Sequence, residues 1–128
     1  MLEKKIKASI YNINKSNSLR EWFIMIKKDL LLIHGENQIS IINTDQYKLV
    51  RKIEVPGSSI IYGVCMLNKN MILTCDQNKA IRQWKIDGDN LILISKKENA
   101  HDKDIYVLLN IGNGIIASGS LDNSIKIW

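Results

Sequence analysis

The chain repeats itself. Ala117-Ser-Gly-Ser-Leu-Asp122-Asn-Ser-Ile-Lys-Ile-Trp128 aligns on Leu73-Thr-Cys-Asp-Gln-Asn78-Lys-Ala-Ile-Arg-Gln-Trp84 at an offset of 44 residues, Trp on Trp and Ile125 on Ile81. A fainter copy, Leu31-Leu-Ile-His-Gly-Glu36-Asn-Gln-Ile-Ser-Ile-Ile42, lies 42 residues before the second, with Ile39 on Ile81 and Ile42 in the Trp position. A period of this length belongs to arrays of supersecondary units that bury their apolar faces only against neighbouring units.

Inside each copy the apolar period is two rather than 3.6, and turn residues recur every few positions, which specifies short strands. The first copy reads as strands at about 20–26, 30–34, 38–43 and 48–54, and the second at about 60–67, 71–75, 80–86 and 91–96. The third reads as about 105–111, 115–119 and 124–128, with Gly112-Asn-Gly114 and Leu121-Asp-Asn-Ser124 as hairpin-type turns. Pro56-Gly57 falls between copies, where a missing backbone donor does no harm. The expected fold is all-β, built of four-stranded antiparallel meanders. Cys65 and Cys75 are expected as free thiols, because in the simplest hairpin register residue 65 faces residue 72, leaving Cys75 on the opposite face.

Over roughly residues 20–128 this pattern resembles the WD-repeat β-propeller family, in which each repeat is one blade. The last copy carries the motif most fully: His101 stands at the family's Gly-His dipeptide with Ala100 for Gly, followed by Ser-Gly-Ser, Asp122 and Trp128. The resemblance implies a structural tetrad of His101, Ser118, Asp122 and Trp128. Trp donates only, Asp accepts only, and Ser and His do both, so the four can satisfy one another when buried. In the middle copy Thr74 and Trp84 fit, Asn78 replaces the Asp, and Gly57 stands where His would be, giving a partial tetrad. In the first copy only Glu36 approaches the pattern, and Leu32 and Ile42 make the site apolar. The expected layout is therefore a partial propeller of about three blades: 20–56 degenerate, 57–99, and 100–128 without its fourth strand. Residues 1–19 would supply a strand, around Lys5 to Ile13, to a neighbouring or closing blade. Propellers close with four to eight blades, so the expectation is either a piece of a longer propeller or two copies pairing into a six-bladed ring. A lone three-blade unit would self-associate through its outer faces.

The rest of the sequence narrows the function classes. Net charge is +5, but only Arg20, Arg51 and Arg82 of the 18 basic residues are arginine, the residue that nucleic-acid readers favour for bidentate contacts. The basic balance is therefore not read as a nucleic-acid signal. No apolar run approaches the ~20 residues of a membrane span, and none follows the N-terminal lysines as in a signal peptide; an intracellular protein is expected. His34 and His101 are the only histidines and no Cys-x-x-Cys or His-x-x-x-His spacing exists, so neither metal nor cofactor is expected. Ser118, His101 and Asp122 could be named as a hydrolytic triad, but no nucleophile elbow or oxyanion-hole motif accompanies them. His34, one residue before a turn Gly, reads as a strand-end residue. What remains is surface. The resemblance places the partner-binding rim at Asp104, Tyr106 and Leu121 in the last copy and at Ile60, Tyr62 and Gln77 in the middle one. The expected role is a non-catalytic platform for proteins or peptides. The alternative is binding of a phosphate-bearing ligand, nucleic acid or acidic lipid, through Lys79, Lys96, Lys97 and Lys103.

Overall fold

The computed structural model describes residues 23–57 and 60–128. The N-terminal strand expected within residues 1–19, and the first residues of the strand expected from 20, lie outside them. Among the described residues, eleven strands form three antiparallel sheets. The first holds β1 (Phe23–Lys27), β2 (Leu30–His34), β3 (Gln38–Asn43) and β4 (Lys48–Glu54) in sequence order. The second holds β5 (Ile61–Asn68), β6 (Met71–Asp76), β7 (Ile81–Asp87) and β8 (Asn90–Lys97), and the third β9 (Ile105–Gly112), β10 (Ile115–Ser120) and β11 (Ile125–Ile127). Trp128 extends the last ladder, exchanging backbone hydrogen bonds with Ile116 at 2.8 and 3.2 Å.

Tight turns make these meanders possible. Asn37, Lys79, Asn113 and Asn123 adopt positive φ in the hairpin connections, the conformation a short turn between twisted strands demands. The core lies between sheets. One cluster joins the first and second sheets through Leu32, Ile39 and Ile41 against Ile72, Trp84 and Ile86. The other joins the second and third through Cys65, Leu73 and Cys75 against Ile105, Leu108 and Ile116. The second sheet is thus apolar on both faces.

Register corrects one expectation. The β5–β6 turn is Lys69-Asn70 with Asn68 opposite Met71, and a bulge at Leu67 then sets Cys65 opposite Leu73. The net slip of one residue against the simplest register flips the face, so Cys75 lies on the same face as Cys65, in the same cluster. Both cysteines are buried thiols outside any disulfide, and burial pushes the Cys65 thiol up to about 11.

A second correction concerns the first copy. The connection from β2 to β3 sets His34 opposite Ile39, where the equivalent pair in the second sheet is Cys75 and Ile81, so it is one residue shorter. Leu32 therefore pairs with Ile41 and faces the second sheet, and Ile33, not Leu32, shares a face with Ile42.

Candidate functional site

Four polar side chains meet in the third sheet. The Trp128 indole N–H donates to Ser118 Oγ at 2.8 Å, and His101 Nε2 lies 2.7 Å from the same oxygen. His101 Nδ1 is 2.9 Å from Asp122 Oδ2. The chain is satisfied in one direction: indole N–H to Ser118, Ser118 O–H to Nε2, and Nδ1–H to the carboxylate. Asp122 also accepts from the Asp102 N–H at 3.1 Å, the Ser124 N–H at 2.9 Å and the Ser124 hydroxyl at 2.6 Å. These donors, the Ser124 hydroxyl foremost, hold its carboxyl well below the usual carboxylate range against the opposing effect of desolvation. Ser118 is 0% exposed, so its oxygen presents no face to a substrate in solvent.

The second sheet brings together only part of the equivalent set. The Trp84 N–H donates to Thr74 Oγ1 at 3.0 Å, and the Asn78 amide donates to the carbonyl of Gly57, the residue at the His position. Sequence reasoning missed what stands beside them. Asp76 and Arg82, both buried, form an ion pair, Asp76 also accepts from the Ala80 N–H at 3.2 Å, and Arg82 Nη2 donates to the Pro56 carbonyl at 2.9 Å. Burial lowers the Arg82 pKa from its ordinary value, with the charge of Glu98 opposing. The third sheet repeats the outer contact: Lys126 Nζ donates to the Ala100 carbonyl at 2.7 Å, and both members of this pair stand 44 residues after Arg82 and Pro56. That shared spacing was the available signal. In the first sheet His34 does end a strand, and its Nδ1–H donates to the Ile61 carbonyl at 2.9 Å, tying β2 to the next sheet. Exposed Glu36 bridges Ile60 through the backbone.

The rim residues assemble by equivalent contacts. The Gln77 N–H donates to the Ile60 carbonyl and the Leu121 N–H to the Asp104 carbonyl, each at 3.0 Å. Tyr62 lies between the paired residues Ile61 and Gly63 as the extra residue of a bulge, and Tyr106 holds the same place between Ile105 and Val107. The two rings pack against each other across the sheet boundary, centroids 4.4 Å apart and planes tilted by 40°. Gly63 permits this approach, because a Cβ there would lie 2.8 Å from Cys75 Sγ and 3.4 Å from the backbone of β9. Of the lysines, Lys96 is paired with Glu98 at 2.7 Å and Lys97 borders a cavity of about 370 Å³ with Leu73, Ile81, Ile116 and Trp128.

No family model and no curated protein matches the chain. Among solved structures it is similar to the WD40 beta propeller domain of Doa1, with a TM-score of 0.67 and 18% identity over 91% of this chain and 38% of that one. The fold is that of a WD40 β-propeller. The chain spans less than two-fifths of the length of that neighbour, so the three sheets amount to part of a propeller. β1, β5 and β9 stand first in the order of their sheets and β4 and β8 last, which puts the bulged tyrosines on first strands. Among the described residues no His, Cys, Asp and Glu cluster could hold a metal ion, and no helix is long and apolar enough to cross a membrane.

Proposed function

We propose that this propeller segment is a non-catalytic platform for protein or peptide partners, anchored by Tyr62 and Tyr106 with Ile60, Gln77, Asp104 and Leu121 around them. The observation that carries this reading is the paired bulge. Bulges re-aim side chains at functional sites, and here two of them, one repeat apart, bring two tyrosines into a single aromatic element shared by two blades. Tyrosine is favoured as an interface anchor, and Leu121 beside it is 50% exposed. In this reading His101, Ser118, Asp122 and Trp128 are a structural tetrad that fixes the third blade, and Thr74, Asn78 and Trp84 its partial counterpart; the burial of Ser118 supports that role over hydrolysis. The buried thiols suit a reducing, intracellular compartment, and further blades, from a longer chain or a second copy, would complete the ring.

The test is peptide-library capture on the parent chain and on Tyr62→Ala with Tyr106→Ala. Salt-tolerant capture that is lost in the double variant, with its melting temperature kept, is the expected outcome. Capture that falls log-linearly with salt and ignores both tyrosines would transfer the function to the lysines and a phosphate-bearing ligand.

A further inference from the structure

The last strands of the first two sheets, each at a sheet edge, are guarded differently. β4 exposes Lys48, Arg51, Lys52 and Glu54, and Arg51 is held by Asp89 at 2.8 Å. β8 instead exposes Ile92, Leu93 and Ile94 at 45%, 38% and 50%. An edge strand directs a row of backbone donors and acceptors away from its sheet, and one not blunted by charge, proline or a cover accepts another strand. Among the described residues no strand lies beyond β8. Its regular stretch, Asn90 to Leu93, is followed by a bulge at Ile94 and then by Ser95, Lys96 and Lys97.

Charge selects the occupant. β8 contains two lysines and no acidic residue, and Lys85 stands opposite Ile92 on the neighbouring strand. Lys96 already meets Glu98, whereas Lys85 and Lys97 have no ion-pair partner among the described residues. A second copy would bring the same lysines and no anion along its own β8, so self-pairing gathers like charge. We propose that β8 is a strand-addition site for an extended segment of another protein in which aliphatic and acidic residues alternate along one face, at every second position, as Ile92, Lys85 and Lys97 share one face of the second sheet. Backbone hydrogen bonds along Asn90 to Leu93 would hold the segment, its aliphatic side chains would cover Ile92 and Ile94, and its carboxylates would meet Lys85 and Lys97.

The experiment uses (Glu-Thr-Val-Thr)2-amide labelled with fluorescein at its N-terminus, its Lys-for-Glu counterpart, and the acidic peptide N-methylated at alternate amides, each titrated by anisotropy against the whole chain at low salt. The acidic peptide is expected to bind about tenfold or more tighter than the basic one, and N-methylation to abolish binding. Ile92→Lys with Ile94→Lys is expected to weaken binding about tenfold with the circular dichroism spectrum kept, and Tyr62→Ala with Tyr106→Ala to leave it unchanged. Should the lysine pair not fold, Lys85→Glu with Lys97→Glu must reverse the preference between the two peptides. Equal binding of both peptides, indifference to N-methylation, dependence on the tyrosines, or a peptide-free dimer dissolved by Ile94→Lys would each overturn the proposal.

Discussion

Ser118 accepts one hydrogen bond and donates another, so its hydroxyl is the hinge of the His101 network. Taking His101 away strands the buried hydroxyl on one side and loosens Asp122 on the other. His101→Ala is expected to destabilise the fold by about 1–3 kcal/mol, measured by urea denaturation. Asp122 adds a pH dependence of definite sign. Its folded carboxyl titrates below the ordinary carboxylate value of about 3.9, so the stability it contributes is present above that value and is lost as pH falls towards the folded one. The acid limb of a plot of melting temperature against pH should flatten in Asp122→Asn. The Asp76–Arg82 pair follows a different rule. Arg82→Met leaves a buried carboxylate without its cation and should cost about 3–5 kcal/mol, whereas Arg82→Met with Asp76→Leu should recover most of that loss; a double variant no more stable than the single one would show that the pair does more than offset its own charge.

At the scale of the strand, register is set by bulges. Ile26, Leu67 and Ile111 are extra residues near the same hairpin end of the first strand in all three sheets, and Asn110 caps the middle one, its amide donating to the Met66 and Leu67 carbonyls at 2.9 and 3.1 Å. The strands themselves could be located from sequence, since period two and Asn/Gly/Asp turns mark them plainly. Their faces could not be assigned with the same ease. A bulge leaves no letter, and missing one sent Cys75 to the wrong face of β6, just as a turn one residue shorter exchanged Leu32 for Ile33. The residues meeting at His101 could be named through the resemblance to WD repeats, whose motif sets those four residue types at fixed places in the last copy. Asp76 and Arg82 could not, because each taken singly reads as a surface charge. Close approach of β5 and β9 yields a further test: Gly63→Ala must displace Cys75 or β9, and is expected to cost about 1–3 kcal/mol and to weaken the nuclear Overhauser contacts between the Tyr62 and Tyr106 rings.

Across the whole molecule, the buried apolar clusters lie between neighbouring sheets. The third sheet exposes Val107, Leu109, Ile125 and Ile127, and their counterparts 44 residues earlier are Gly63, Cys65, Ile81 and Gln83, the face on which the second sheet receives the third. Light scattering of the 128-residue chain over a concentration series is therefore expected to show reversible association, reduced by Leu109→Lys with Ile125→Lys; a monodisperse monomer at micromolar concentration would contradict this. Because the apolar clusters belong to the seams between sheets, a change that spoils a motif within one blade is tolerable while the seam stays filled. The lettering of a blade is then free to vary while the wall stands, as this chain displays: one blade with most of the motif, one with half of it and one nearly blank, all three joined by filled seams.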